Sequence, residues 1–185
     1  MTLQPPFALF VLDKDITNEY LNNSLVRAYN GDYQSGWNLW VATDSYDDLP
    51  PPQQTHQPPP EATKPPLPAD FSSPWVGKTV EDCAKWLQEM PVQEGVYAES
   101  VNRDYFTAMN EFSKEEDMVL VCRFQNKDNG NTRVDYFPQS TDEVQMQMWT
   151  NLGSKFDEQA SNYRDARRFE DNKPDRSKFK SGGPY

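Results

Sequence analysis

The sequence contains little histidine and little cysteine. Its one histidine, His56, lies in a proline-rich stretch, which excludes the usual activation of a serine or cysteine nucleophile by a structured imidazole. Its two cysteines, Cys83 and Cys122, have neither Cys-x-x-Cys spacing nor histidine partners, so a thiolate zinc site is not supported. We therefore expect no metal and no cofactor, and we predict that the chain is not an enzyme.

Long apolar runs are missing as well. No run approaches the roughly eighteen apolar residues that a membrane span needs. The first apolar run, Phe7–Leu12, is short and follows no basic stretch, so no secretory signal is indicated. We expect an intracellular, cytoplasmic protein without a membrane partner, in which both cysteines stay reduced.

The chain also has fewer basic than acidic side chains, with 18 Lys/Arg against 29 Asp/Glu. Its net charge is −11 and its sequence pI is about 4.5, which repels a phosphate backbone and argues against nucleic acid as a partner. The exception is the stretch 164–180, in which seven Lys/Arg stand against four acids. This stretch is either a solvated mixed-charge tail or a segment that meets an acidic protein surface.

Proline, by contrast, is abundant. Ten of the sixteen prolines lie in residues 47–74, mostly in clusters. Such a segment favours polyproline II and offers few amide donors, so residues 47–73 are predicted to be a stiff linker. A ligand for an aromatic groove is the alternative use.

The segment before the linker, residues 1–46, is predicted to be a small β/α unit. Phe7–Leu12 and Trp37–Val41 resemble strands, and 18–29 between them resembles a helix. So short a segment is too small for a dependable core of its own, so we expect it to contact either the second half or a partner. Trp37 and Trp40 are accordingly candidate anchors for a partner, with a local core as the alternative.

The best-organised part, residues 74–139, is predicted to be an α+β module. Thr79 followed by Asp82 is typical of a helix start, and the apolar residues after it fall on one face. Strands are predicted over 96–101, 118–124 and 133–137, with a turn at Asn129–Gly130 joining the last two.

Residues 140–170 are predicted to form an amphipathic helical arm. It begins at Thr141 or Asp142 and is interrupted at Gly153. Trp149 and Phe156 are further candidate anchors for a partner. The polar tail, residues 171–185, carries no fold signal.

The run Pro74–Ala84, with Trp75, Gly77-Lys78-Thr79 and Val80-Glu81, resembles the opening of the potato type I serine protease inhibitors. The resemblance covers about residues 74–138 and implies an exposed reactive loop between the first two strands. On that resemblance the reactive segment comprises Thr107, Ala108, Met109, Asn110 and Glu111, and Met109 enters the protease pocket. Acids at 115–117 stand where the family has arginines that brace the loop.

Together these patterns predict an α+β fold with one helix packed on a short mixed sheet, a proline-rich linker, and N- and C-terminal arms. The leading hypothesis is an acidic, non-enzymatic structural or adaptor subunit of a large assembly. That assembly is either a cytoskeletal one, including the axoneme of a cilium, or a virion. The hypothesis predicts other proteins as partners and no small-molecule substrate. The alternative is a serine protease inhibitor that presents the loop around Met109.

Overall fold

The computed structural model describes residues 5–55, 61–96, 98–126, 132–150 and 154–168. Within these residues the chain forms a mixed five-stranded sheet with several helices, which places it in the α+β class. The strands are β1 (Phe7–Val11), β2 (Leu39–Val41), β3 (Tyr105–Met109), β4 (Met118–Asn126) and β5 (Thr132–Ser140). The α-helices are α1 (Asn18–Gly31), α2 (Val80–Glu89), α3 (Ser113–Glu116), α4 (Val144–Thr150) and α5 (Ser154–Arg168).

The sheet joins both halves of the sequence. Its strand order is β2-β1-β3-β4-β5. β1 runs parallel to both of its neighbours, with Leu9 opposite Val41 on β2 and opposite Thr107 on β3. The other two pairings are antiparallel. The segment 1–46 therefore contacts the second half of the chain, and the proline-rich stretch does not divide the sheet.

Helices cover both faces of the sheet, so β1 is buried on both sides. Phe7, Leu9 and Val11 point to the face that α1, α4 and α5 cover, which we call the α1 face. Ala8 and Phe10 point to the opposite face, which α2 covers and which we call the α2 face. A strand with parallel neighbours on both sides is normally buried in this way.

Helix α2 begins where the sequence predicts. The Thr79 hydroxyl accepts a hydrogen bond from the Asp82 amide at 3.2 Å, and the Asp82 carboxylate accepts one from the Thr79 amide at 2.9 Å. These reciprocal bonds satisfy two amides at the start of the helix. The predicted apolar face is confirmed, because its residues are all buried on the sheet: Val80, Cys83, Ala84 and Leu87.

Both cysteines lie in the core of the α2 face. Cys83 on α2 and Cys122 on β4 are buried free thiols. Burial in apolar surroundings raises the pKa of each thiol above its usual value. The thiols are therefore small core side chains with little thiolate character.

The predicted C-terminal arm is in fact part of the core. Phe156, Ala160 and Tyr163 of α5 are buried against the α1 face. Arg123 on β4 lies 4.4 Å from the centre of the Phe156 ring and donates a hydrogen bond of 2.5 Å to Asp157. The apolar stripe that suggested an arm is thus buried by this chain's own sheet. Gly153, the Asn129–Gly130 turn and the tail 171–185 lie outside the described residues.

The strand predicted over 96–101 does not form in the residues of that range that the structure describes, 96 and 98–101. Of its described residues, Ala98 makes an isolated bridge to Gln53. Strand β3 lies instead at Tyr105–Met109, in a stretch that the family resemblance assigned to a loop. Here alternate residues face the two cores, which suits a strand placed between β1 and β4.

The second half of the proline-rich stretch follows the outer edge of β2. The Ala62 amide donates to the Trp37 carbonyl at 2.7 Å, and the Thr63 amide donates to the Leu39 carbonyl at 3.1 Å. The Thr63 hydroxyl in turn accepts from the Val41 amide at 2.9 Å. The stretch predicted as a spacer therefore covers a sheet edge that would otherwise present unpaired backbone groups.

We expect Leu87→Ala to lower the free energy of unfolding by about 2 to 5 kcal/mol, since it leaves a cavity beneath α2. Leu87 is 0% exposed, whereas Val92 just beyond the helix is 75% exposed. Val92→Ala is therefore the matched control and should change stability by less than about 0.5 kcal/mol. Urea denaturation of both variants measures the difference, and equal effects would contradict the described packing of α2.

We expect the amides of Ala62 and Thr63 to exchange slowly in the isolated protein, since both donate to backbone carbonyls next to β2. Hydrogen–deuterium exchange with residue resolution measures this directly. Exchange of both amides at the rate of an unstructured peptide would show that the stretch leaves the sheet edge in solution.

Candidate functional site

A crevice of about 440 Å³ opens at the carboxyl end of β1. From β1 the chain crosses the α1 face to β2, and from β2 it crosses the α2 face to β3. The first connection therefore leaves the carboxyl end of β1 and the second leaves the carboxyl end of the adjacent β2, and their helices lie on opposite faces of the sheet. In sheets with parallel strands, such a point of divergence leaves a crevice at the strand ends and is a common place for ligands. Its volume lies within the usual range of binding pockets.

Strand β1, helix α1 and an irregular segment, residues 71–76, enclose this crevice. Its floor is apolar, with Val11, Ile16 and Leu21 nearly or fully buried. Val76 on the segment is 43% exposed and stands at the rim of the crevice. The residues that line the crevice are Val11, Asp13, Lys14, Ile16, Thr17, Asn18, Leu21, Phe71, Ser72, Ser73 and Val76.

Hydrogen bonds hold the segment 71–76 in place. The Asn18 side-chain amide donates to the Phe71 carbonyl at 3.1 Å, and the Ser73 hydroxyl donates to the Val11 carbonyl at 2.8 Å. The amide of Gly77, which follows the segment, donates to the Leu12 carbonyl at 2.9 Å. Gly77 has φ +79°, a backbone conformation that favours glycine. The wall of the crevice is thus fixed to the end of β1.

The polar residues of the crevice are largely engaged within the chain. The Asp13 carboxylate accepts from the Asp15 amide at 2.8 Å, and the Thr17 hydroxyl accepts from the Tyr20 amide at 3.2 Å as the cap of α1. The side chains of Asn18 and Ser73 donate the hydrogen bonds that fix the segment 71–76. These bonds shape the crevice. Its more exposed apolar side chains are Val76 and the half-buried Phe71, because the floor residues are almost fully buried.

Helix α1, which forms one side of the crevice, is fixed to the rest of the protein by Arg27. Its guanidinium donates to Asp117 at 2.7 and 2.6 Å and to Asp142 at 2.8 and 2.5 Å. Asp117 has φ +55°, in the left-handed region. Asp and Asn tolerate this region better than other side chains. The hydrogen bonds from Arg27 lower the pKa of both carboxyl groups.

We expect the stabilisation from Arg27 to disappear in acid. A carboxyl group whose pKa is lower in the folded state stabilises the fold above its unfolded pKa of about 3.9, and this contribution is lost as the pH falls through the lowered folded pKa. Arg27→Met should cost about 1 kcal/mol near pH 7, since solvent screens these half-exposed groups. The cost should shrink toward pH 2.

Denaturant unfolding of the wild type and the variant at the two pH values measures this effect. Lys85→Met is the control, because Lys85 forms a longer and exposed ion pair of 3.9 Å with Glu89. A cost for Arg27→Met that stays constant between pH 7 and pH 2 would contradict the role given to the two carboxylates.

The candidate reactive loop is not exposed. Thr107, Ala108 and Met109 belong to β3 at the centre of the sheet, and Asn110 directly after them is also buried. Glu111 follows in the turn that leads to α3. A residue in this position cannot enter a protease pocket, because β1 and β4 flank the strand and both faces are covered. The signal that could have identified the strand is the mostly apolar run Tyr105–Met109, as expected of a strand buried on both faces.

The candidate anchors are used mainly within the protein. Trp40 is buried near Trp86, and Phe156 is buried on the α1 face. Trp37 is half-buried and stacks on Tyr29 with ring centres 4.1 Å apart. Trp149 is half-buried on α4. The residues around the crevice were not predicted, because they share no sequence motif and converge only in the fold.

Neither a metal site nor a membrane span is indicated within the described ranges, which omit 1–4, 56–60, 97, 127–131, 151–153 and 169–185. No group of three or more His, Cys, Asp or Glu side chains there is arranged to hold a metal ion. None of the helices described in those ranges has the length and apolar character needed to cross a membrane.

Comparison with known proteins adds no relative: no family model, curated protein or solved structure matches the chain. The fold and the crevice are therefore the basis for a functional proposal.

Proposed function

We propose that this chain is a non-enzymatic structural or adaptor protein that binds other proteins, and that the crevice at the carboxyl end of β1 is its docking site. The observation that supports this proposal is the combination of an apolar floor, a volume of about 440 Å³ and an exposed valine at the rim. Protein interfaces commonly place an aromatic or aliphatic side chain of one partner in such a pocket.

An apolar side chain of a protein suits this crevice better than a polar small molecule. Sites for small molecules combine an apolar lining with a few convergent polar groups that remain free to bind the ligand. Here Asn18 and Ser73 bond the wall, Thr17 caps α1, and Asp13 accepts from a nearby amide. The apolar surface that the crevice presents comes mainly from Val76 and the half-buried Phe71, which favours an occupant recognised by shape and burial.

The fixed wall of the crevice also supports a role in docking another protein. Segment 71–76 is bonded to β1 and α1, so the crevice is formed before a partner arrives and little ordering is needed on binding. A subunit of a larger assembly, of the cytoskeletal, axonemal or virion kind, would receive a neighbour's side chain here.

We expect Val76→Arg to abolish binding of peptides that dock in the crevice, since it places a long charged side chain at the rim. Peptides are first selected from a random displayed library on the full-length chain and their affinities measured by calorimetry. Val76 is exposed, so the substitution should leave folding intact. Val92→Arg is the matched control, because Val92 is also exposed but does not line the crevice.

The site of binding is located independently by NMR. Bound peptide should shift the backbone signals of Val11, Ile16, Leu21 and Phe71. Selected peptides that bind Val76→Arg as tightly as the wild type, or that shift signals elsewhere, would overturn the assignment of the docking site. A selection that yields no peptide tighter than about 1 mM would argue against the protein-binding role itself.

A further inference from the structure

We infer that the outer edge of β5 is a second interaction surface, where a second copy of this chain adds its own β5 in antiparallel orientation. The two sheets then join into one across a twofold axis. This inference is independent of the crevice and goes beyond the docking of other proteins proposed there. It follows from the hydrogen-bonding pattern of the sheet and from the order of side chains along β5.

Strand β5 forms one edge of the sheet, and β2 forms the other. The two edges differ. Ala62 and Thr63 bond to the outer edge of β2, whereas no strand in the described parts of the chain pairs with the outer edge of β5. This edge is nine residues long, Thr132–Ser140. A long strand edge without a neighbouring strand is a template for the addition of another strand.

The pairing with β4 shows which backbone groups of β5 point outward. The amide of Thr141, just after β5, donates to the carbonyl of Asp117, just before β4, at 3.2 Å. Hydrogen-bonded and non-hydrogen-bonded pairs alternate along antiparallel strands, so the odd-numbered residues of β5 bond to β4 and the even-numbered residues point their backbone groups away from it. Thr132, Val134 and Pro138 are among these even-numbered residues. Proline has no amide to donate, and edge strands are where it is found in sheets.

The outer edge of β5 offers backbone groups more than side chains. The Val134 side chain is buried with α2, and the Phe137 ring packs on Phe156 of α5 with ring centres 5.2 Å apart. Thr132 and Pro138, on the same edge as Val134, are half-buried and reach solvent. Among the described residues, no hydrogen bond engages the outward amides and carbonyls of Thr132 and Val134. A partner strand can pair with these groups through its own backbone.

The order of side chains favours a second copy as the partner strand. When two β5 strands pair in antiparallel orientation about Val134, Arg133 of each copy lies opposite Asp135 of the other, so the pair occurs twice by symmetry. The Arg133 side chain is 40% exposed and lies 3.1 Å from Asp135 of its own chain, so both side chains are on one face of the sheet. Opposite charges in direct cross-strand pairs stabilise a sheet.

Neighbouring registers of the two strands fit less well. A twofold axis at Arg133 places arginine opposite arginine, and an axis at Asp135 places aspartate opposite aspartate, and like charges in such pairs are destabilising. An axis at Tyr136 places Val134 opposite Pro138, which has no amide to donate. The register centred on Val134 avoids both defects.

Sedimentation velocity of the full-length chain, from about 1 to about 300 µM, measures the association. We expect a concentration-dependent species near twice the 21.4 kDa mass of one chain. The buffer contains about 150 mM NaCl, which screens the repulsion between two chains that each carry a charge of −11. A chain that stays monomeric at every concentration would overturn the inference.

Hydrogen–deuterium exchange with residue resolution locates the interface. The Val134 amide points outward and should become protected only as the dimer forms, whereas the Phe137 amide bonds to β4 and should be protected at every concentration. Protection of the Val134 amide in the monomer would show that the chain covers this edge itself. Fast exchange of the Val134 amide in the dimer would show association through another surface. Either result would contradict the inference.

Two variants test the register and the backbone pairing. Arg133→Glu should weaken dimerisation at least about tenfold, because it places glutamate opposite Asp135 in both symmetric pairs. Thr132→Pro should also weaken it, because it removes an outward amide but none that bonds to β4. Circular dichroism checks that both variants remain folded.

Lys64→Glu is the matched control for Arg133→Glu. It makes the same change of charge at a half-exposed side chain beside the other edge of the sheet, and it should leave dimerisation unchanged. Undiminished dimerisation of folded Arg133→Glu or of folded Thr132→Pro would show that β5 does not pair with a second copy in this way.

Discussion

Burial of β1 on both faces is the constraint on which the rest of the structure depends. All five of its residues are buried, and it runs parallel to both neighbours. A parallel neighbour cannot be reached by a tight turn, so each connection must cross a face of the sheet. The chain crosses once on the α1 face and once on the α2 face. Both faces are thereby covered, and the connections leave the carboxyl ends of the adjacent strands β1 and β2 for opposite faces.

The crevice is a geometric consequence of that divergence. Helix α1 and the segment 71–76 approach β1 from different sides and leave a space between them. Asn18, Ser73 and Gly77 fix the wall, so the space is maintained by hydrogen bonds of the fold itself. The same passage of chain also covers the edge of β2. The connection between β2 and β3 therefore both covers an edge strand and forms a wall of the crevice.

Local sequence patterns predicted most of the individual helices and strands, but they did not predict which of these pair or pack together. The capping residues Thr79 and Asp82 identified α2, and the apolar runs identified β1 and β4, because caps and alternation are properties of nearby residues. Strand β3 was missed because a family resemblance assigned its residues to a loop. Its identity depends on pairing with β1, almost one hundred residues earlier. The apolar stripe of α5 was recognised, but whether it faces a partner or this chain's own sheet is a question of tertiary contact.

The sequence by itself determined the α+β class, most of the helices and strands, and the acidic character of the protein, since these follow from composition and short-range spacing. Only the tertiary structure decided that the two halves share one sheet and that the proline-rich stretch covers its edge. It also decided that Val11, Ile16, Phe71 and Val76 meet around one crevice. The reason is physical: these residues are brought together by two crossings of the sheet, so their spacing in the sequence does not predict that they line one crevice.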